Sequence, residues 1–230
     1  MSANSVYLPV RKDSETIRKT VLTNVIKMLN SRKWISDNNV ESNIMKLIDS
    51  YNDEQVYKIN LDVSLSKLPT YEPTDDDKPK KQEKEFEDTI VMVKLLPQKV
   101  TSIAKSPIIT EFLSNYKKNH KILIVDSISD KTKYQLVTTT KHTEVFKESF
   151  LMLDIMSHVC SPEFEVLSPE ESTELLSSYN LIRRQMKRMF DTDPVSLYLF
   201  LKKKQIVRII RNSELTGKSI DYRIVVHRGN

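Results

Sequence analysis

Apolar residues near the start of the chain recur every three or four positions, and further on they alternate with polar ones. The first spacing predicts helices over residues 14–32 and 38–51, because it gives each helix one continuous apolar face. Trp34, between the two helices, is expected to cover the core beside the first. The alternation over residues 55–65 predicts a strand.

Two short apolar runs, at residues 89–96 and 121–126, predict further strands, and the residues between them, 100–118, have the spacing of a helix. Pro107 is expected to restart or kink that helix. A strand, a helix and a strand in this order predict a crossover connection and a partly parallel sheet. A short helix and a strand at residues 143–146 complete this part of the chain.

Two helix starts are recognisable in the last third of the chain. Ser168, Pro169 and Glu171 have the spacing of a capping box with proline at the first helical position. Asp193 followed by Pro194 combines an N-cap residue with the same use of proline, whose missing N–H costs nothing there. We expect a helix to begin at each of these places.

A β-hairpin is predicted after the second helix start. Residues 205–211 and 220–226 are short and β-branched, as strands usually are. The polar stretch 212–218 between them contains Gly217, which is free to adopt positive φ in a turn. The end of the chain therefore reads as a short helix followed by a hairpin.

A proline-rich and highly charged segment, residues 66–87, interrupts the N-terminal part. It contains too little apolar surface to offset the entropy lost on ordering, so we predict a disordered loop inside that domain. Asp76, Asp77 and Lys78 in this segment match half of a metal-dependent nuclease site. Such a site needs carboxylates held on rigid strands, so the match carries little weight.

The composition limits the class of protein. At 230 residues the chain suits one or two domains with a proper core. No apolar run approaches the roughly 20 residues of a membrane span, and the N-terminus lacks the apolar core of a secretory signal. We therefore expect a soluble intracellular protein. The single cysteine, Cys160, excludes an intrachain disulfide and a cysteine-cluster zinc site.

The net charge of +5 is concentrated at the C-terminal end, where residues 180–230 hold 12 lysines and arginines against 4 acidic residues. A basic end can meet nucleic acid or an acidic protein surface, and charge alone does not choose between them. The sequence has no phosphate-binding glycine loop, nucleophile elbow, HExxH motif or Asp-x-Asp pair flanked by strands. We expect no catalytic, cofactor or metal site, and a structural role for His158.

From residue 193 the chain reads DPV-x-LY-x-x-LK and then IVRIIR-x-SE-x-x-G-x-x-x-x-YRIVV. This string resembles the C-terminal assembly domain of the fifth subunit of eukaryotic nuclear RNA polymerases, a subunit with a counterpart in archaeal RNA polymerase. The matching residues are Asp193, Pro194, Val195, Leu197, Tyr198, Leu201, Lys202, Val207, Ile209, Ile210, Arg211, Ser213, Glu214, Gly217, Tyr222 and Arg223. A weaker resemblance extends over the N-terminal part.

The resemblance implies two domains and a fold that mixes α+β with α/β structure. Residues 1–149 would form a jaw domain, an α/β fold related to restriction endonucleases without their active site, near downstream duplex DNA. Residues 150–230 would form a small α+β assembly domain that docks on the largest polymerase subunit and its neighbours. The implied function is that of a non-catalytic subunit of a multisubunit DNA-directed RNA polymerase, with no membrane contact.

Candidate contact residues follow from the resemblance and from residue chemistry. Buried aromatic and arginine side chains carry most of the energy of protein interfaces. The docking candidates are Tyr198, Arg208, Arg211, Tyr222 and Arg223, of which the tyrosines could instead be core residues. Residues 127–133 occupy the place of a DNA-facing loop of the family. Lys131 and Lys133 in it are candidates for phosphate contact, with an ordinary solvated loop as the alternative.

The chain departs from the family pattern in several places. Family glycines are missing from the turns at residues 30–34 and 203–204, and Phe164 replaces a histidine. The connector 183–190 lacks the family's proline, which predicts a longer helix there. Together with a composition biased toward Lys, Asn, Ile and Ser, these departures favour a member from a large DNA virus. Such a protein would act in a cytoplasmic viral factory or virion, whereas a cellular member would act in the nucleus.

Two other functions stay open. A free-standing DNA-binding protein would use the basic C-terminus and would bind bare DNA with a steep salt dependence. A metal-dependent nuclease built on the jaw fold would cleave DNA in the presence of magnesium.

Overall fold

The computed structural model describes residues 13–50, 55–65, 87–102, 106–140, 142–213 and 217–227. The helices are α1 (Ser14–Ser31), α2 (Asp37–Asp49), α3 (Pro107–Asn115), α4 (Asp130–Thr139), α5 (Glu148–Leu151), α6 (Pro169–Ser178) and α7 (Pro194–Tyr198). The strands are β1 (Val56–Asn60), β2 (Glu87–Val100), β3 (Asn119–Ile128), β4 (Thr143–Lys147), β5 (Glu163–Val166), β6 (Lys187–Phe190), β7 (Ile206–Ser213) and β8 (Gly217–Val226). No helix in these ranges is long and apolar enough to cross a membrane.

Strands β1 to β4 form the first sheet, in the order β1-β2-β3-β4. β1 runs antiparallel to β2, whereas β3 is parallel to both of its neighbours. The connection from β2 to β3 passes through α3, which confirms the predicted crossover and the partly parallel sheet.

Helices cover both faces of the first sheet, and this explains why β3 is a continuous apolar run. Ile122 and Ile124 of β3 belong to a large core with residues of α1 and α2. Leu123 and Val125 point the other way, into a smaller core with residues of α3 and α4. Trp34 is buried in the large core, as predicted.

Strands β5 to β8 form the second sheet, in the order β5-β7-β8-β6. β5, β7 and β8 are antiparallel neighbours, and β6 pairs in parallel with β8. α6 packs on one face beside Ile206 and Ile224. Residues that follow α7 pack on the other face, beside Val207 and Val225. With two mixed sheets and helices on their faces, the α+β class is confirmed.

Both predicted helix starts are confirmed. At α6, Ser168 Oγ accepts the backbone N–H of Glu171 at 3.2 Å, and Glu171 Oε2 accepts the backbone N–H of Ser168 at 2.8 Å. At α7, Asp193 Oδ1 accepts the backbone N–H of Val195 at 3.0 Å. Each bond satisfies an N–H group that has no partner within its helix.

Three predicted elements are wrong in extent or type. The helix expected over residues 100–118 is only α3, because β2 continues to Val100 beside β3 and the helix begins at Pro107. The helix expected over residues 183–190 is a single 3-10 turn followed by β6, because pairing with β8 takes up the backbone groups of β6. The loop expected at residues 127–133 is the end of β3 and the first turn of α4.

Two predictions fall on residues that the structure does not describe. The disordered loop expected at residues 66–87 lies outside the described ranges except for Glu87, where β2 begins. The partial nuclease match at residues 76–78 lies outside them as well.

Candidate functional site

The β7–β8 hairpin carries four of the five candidate docking residues, and its register separates them. Arg208 lies opposite Tyr222, and Tyr222 packs on the α6 side of the second sheet. Arg211 and Arg223 are on the other side, with Val207 and its core, because side chains alternate along a strand. The four candidates therefore form two pairs on opposite faces.

Arg208 lies among acidic groups. Its Nη1 is 3.2 Å from Glu165 Oε2 across the β5–β7 pair. Hydrogen bonds from Ser168 chiefly lower the pKa of Glu171, and the Arg208 charge contributes to the same shift. The Nε–H of Arg208 is buried and has no hydrogen-bond partner among the residues that the structure describes. Buried donors without a partner are rare in folded proteins and call for an explanation.

An apolar pair continues this face toward the tip of the hairpin. Ile210 lies opposite Ile220. This pair is two positions beyond the Arg208–Tyr222 pair on each strand, so it lies on the same face of the sheet. Ile220 is 57 % exposed, which is high for a strand isoleucine beside a covered core. We call Arg208, Tyr222, Ile210 and Ile220 the hairpin face.

The opposite side of the hairpin is organised around Asp221. Lys187 Nζ lies 2.8 Å from Asp221 Oδ1, and Arg223 Nε lies 3.4 Å from Asp221 Oδ2. Burial acts to raise the pKa of Asp221, but its bonds with Lys187 and Arg223 outweigh burial and lower that pKa. Arg223 is therefore already engaged by an acid of its own sheet.

Tyr198, the fifth docking candidate, is completely buried. Its ring belongs to the large core against the first sheet, and its hydroxyl donates to Asp154 Oδ1 at 3.1 Å. Burial, reinforced by the Asp154 charge, raises the pKa of this phenol. The position of Tyr198 agrees with the alternative that it is a core residue, because its side chain leaves no exposed surface.

The two candidate DNA-contacting lysines lie in the first turn of α4. Ser129 caps this helix, and its Oγ accepts the backbone N–H of Thr132 at 3.3 Å. Lys131 is exposed, whereas Lys133 is half-buried. Burial and the nearby charge of Lys147 lower the pKa of Lys133. Because α4 follows β3 and Lys147 ends β4, the three lysines lie near the carboxyl ends of parallel strands.

The structure also contains a buried charged cluster that the sequence analysis missed. Arg32, just after α1, donates from Nη1 and Nη2 to the two carboxylate oxygens of Glu144, each at 2.8 Å. His120 Nε2 lies 2.7 Å from Glu144 Oε1. The only sequence feature that pointed to this cluster was the presence of Arg32 and Trp34 in the turn between the first two helices. No motif marked Glu144 or His120.

In the described ranges, no group of three or more His, Cys, Asp or Glu side chains could hold a metal ion. His158 is exposed, and its Nδ1 accepts the backbone N–H of Cys160 at 3.1 Å. This local bond fits a structural role for His158.

Comparisons with known proteins identify the family. The family model described as RNA polymerase Rpb5, C-terminal domain, matches residues 153–225. DNA-directed RNA polymerase subunit 5 of Acanthamoeba polyphaga mimivirus is 31% identical over 226 residues, which are 98% of this chain and 100% of that protein. The DNA-directed RNA polymerases I, II, and III subunit rpabc1 of Dictyostelium discoideum is 30% identical over 215 residues, 91% of this chain and 95% of that protein. The subunit RPABC1 of Caenorhabditis elegans is 45% identical over 83 residues, 36% of this chain and 39% of that protein.

These matches confirm the resemblance noted in the sequence and support a divergent member of viral type. The viral relative matches over nearly the whole chain, and the nematode subunit only over 36% of it. Membership of this family implies that other polymerase subunits are partners. The chain belongs to the family of the fifth subunit of DNA-directed RNA polymerases.

Proposed function

We propose that the chain is a non-catalytic subunit that docks on the largest RNA polymerase subunit through its C-terminal module and holds a jaw near downstream DNA. The jaw would be the first sheet with its helices, a fold of the restriction-endonuclease type without catalytic residues. The observation that carries the docking proposal is the hairpin face, where a half-buried arginine lies beside an exposed isoleucine. The compartment would be that of the polymerase, the nucleus of a cell or a viral factory or virion.

The chemistry of the hairpin face suits a protein partner. The Arg208 side chain is 33 % exposed, so its outer guanidinium N–H groups can donate to a carbonyl or carboxylate of the partner. Ile220 and Ile210 add apolar area next to this arginine. Arginine is among the residues most frequent in interface hot spots. Arg208, Tyr222 and the two isoleucines therefore replace the original set as the docking residues.

Purification of the tagged full chain from its native source tests the proposal. We expect stoichiometric recovery of polymerase subunits, including the largest, by mass spectrometry. Ile220→Asp places a charge in the hairpin face and should abolish this recovery. Met45→Asp on α2 should not, although Met45 is similarly exposed, at 66 % against 57 % for Ile220. Isolation of the wild-type chain as a free monomer would disprove the subunit assignment.

The jaw proposal rests on Lys131, Lys133 and Lys147 at one end of the parallel strands. A lysine that contacts a phosphate contributes about one unit to the slope of the logarithm of the DNA-binding constant against the logarithm of the salt concentration. We expect Lys131→Ala to reduce that dependence in the assembled polymerase by about this amount. Lys58→Ala, an exposed lysine on β1 at the opposite edge of the sheet, is the matched control and should leave it unchanged.

The same purified chain separates the two rival functions. A free-standing DNA-binding protein would bind bare duplex DNA without polymerase, with a steep salt dependence. A nuclease would cleave DNA when magnesium is added. We expect neither result at concentrations at which the chain assembles into polymerase.

A further inference from the structure

Arg32 connects the end of α1 to a distant segment of the C-terminal part. Its Nε donates to the carbonyl oxygen of Tyr198 at 2.7 Å, and its Nη2 donates to that of Leu197 at 3.0 Å. These carbonyls lie in the last turn of α7, and that of Leu197 also accepts the backbone N–H of Phe200 at 3.3 Å. Arg32 therefore binds Glu144 on one side and the backbone of α7 on the other.

The segment that Arg32 holds joins the two hydrophobic cores. In Leu197–Leu201, the side chains of Leu197, Tyr198 and Phe200 pack in the large core against the first sheet. Leu201 belongs to the core of the second sheet, and Leu199 contacts both cores. We call residues 197–201 the bridging segment. This segment therefore contacts the cores of both sheets.

Three aromatic rings surround the guanidinium and come from three parts of the chain. Trp34, His120 and Phe200 contact one another edge to face, with ring centroids 5.3, 5.4 and 5.5 Å apart. The Arg32 guanidinium carbon lies 4.9 Å from the Trp34 centroid and 5.2 Å from that of Phe200. We call Arg32, Glu144 and these three rings the Arg32 cluster.

Phe200 has an unusual backbone conformation that its packing must maintain. Its φ is +55°, in the left-handed region that aromatic residues rarely adopt. Such a conformation is strained and persists only where surrounding contacts compensate for it. The contacts of Phe200 with Trp34 and His120 are of this kind, so the chain turns here because the cluster holds it.

We infer that the Arg32 cluster is a positioning site that fixes the bridging segment, and with it the second sheet, in one orientation against the first sheet. In an assembled polymerase the cluster would then set the direction in which the jaw points, and this consequence rests on the proposed function. Buried ion pairs often contribute little net stability, and in some proteins they specify one arrangement. Here Arg32 of the pair also donates to two backbone carbonyls of the bridging segment.

The distance between two spin labels on the free full-length chain tests the inference without any polymerase. The labels are attached at Glu41→Cys on α2 and Lys218→Cys on β8, both exposed, in a Cys160→Ser background that removes the single native cysteine. The unmodified cluster should give one narrow distance distribution. Arg32→Met with Glu144→Gln removes both buried charges and the donors to the bridging segment, but leaves an acceptor for His120. We expect this double variant to stay folded and to lose the single narrow peak.

Controls separate a positioning role from a general loss of packing. Glu15→Gln with Lys19→Met removes an exposed ion pair of 2.7 Å from α1 and should keep the narrow peak. Arg32→Lys alone keeps a charge near Glu144 but loses the planar guanidinium. The distance distribution of this variant should be broader than that of the unmodified cluster and narrower than that of the double variant. If the double variant fails to fold, Phe200→Leu gives the same test, since it removes one ring of the cluster. An unchanged narrow distribution in a folded cluster variant would overturn the inference, even if co-purification with polymerase is confirmed.

Discussion

Replacing Glu144 by glutamine should strongly destabilise the chain. The carboxylate accepts two hydrogen bonds from Arg32 and one from His120 in a buried site. Glutamine has one acceptor oxygen, and its NH₂ group would face a donor of Arg32 or His120, so at least one of the three bonds is lost. The Arg32 charge would also stay buried without its counter-ion. Breaking a buried pair in this way costs about 3–5 kcal/mol of unfolding free energy.

Trp34 makes this measurement direct. It is the single tryptophan of the chain, and its ring lies 5.3 Å from that of His120 inside the cluster. Denaturant unfolding followed by its fluorescence should show a loss of about 3 kcal/mol or more for Glu144→Gln. Glu15→Gln, in an exposed pair, should leave the value nearly unchanged. Equal small losses for the two variants would refute the view that Glu144 compensates a buried charge.

Three further outcomes are expected. Burial lowers the pKa of His120 below its ordinary 6.5. Burial acts to raise the pKa of Glu144, but Arg32 and His120 outweigh burial and lower the pKa of Glu144 from 4.5 to about 2. In both cases the unfolded chain binds more protons than the folded one. The unfolding free energy should therefore fall as the pH drops below about 6.5, because of His120, and again between 4.5 and 2, because of Glu144. A rise of the unfolding free energy on acidification would contradict these shifts. Lys204 has a φ of +74°, which glycine adopts without strain. Lys204→Gly should therefore stabilise the chain by about 0.5–1 kcal/mol in thermal unfolding. A lowered melting temperature would contradict this. Ser168→Ala removes the capping box of α6 and should cost about 1 kcal/mol in the same assay, and no loss would show that the cap does not stabilise the helix.

Local signals in the sequence were sufficient for the elements that depend on neighbouring residues. The capping box at Ser168, the N-cap at Asp193 and the crossover between β2 and β3 were all predicted, because spacing and cap chemistry act within a few residues. The missing glycines were interpreted only as signs of divergence. The structure adds that Lys33 and Lys204 adopt φ values of +60° and +74° in these two turns, which was not predicted.

Features that depend on contacts across the chain were not predictable in the same way. The segment 187–190 has no strong strand pattern of its own and becomes β6 because β8 offers a parallel partner. Tyr198 matched the family string equally well as a surface or a core residue, and only its packing against the first sheet decides. Glu144 and Arg32 are 112 positions apart, so no local pattern relates them.

The separation of the docking candidates changes the view of the basic hairpin. Charge alone suggested one basic surface, but Arg223 is paired with Asp221 and Arg208 with Glu165. The hairpin face is therefore a mixed apolar and polar surface on which the Arg208 guanidinium is half-buried. Such a surface favours a protein partner over a phosphate backbone, which is bound mainly through exposed positive charge.

The most direct test of docking is a photo-crosslink from the hairpin face. A photoreactive amino acid in place of Ile220, within the full chain expressed in its native setting, should crosslink to the largest RNA polymerase subunit. The same residue in place of Met45 on α2, which is similarly exposed, should give no such product. Crosslinks from position 220 to no polymerase subunit, in a chain that still folds, would contradict the account.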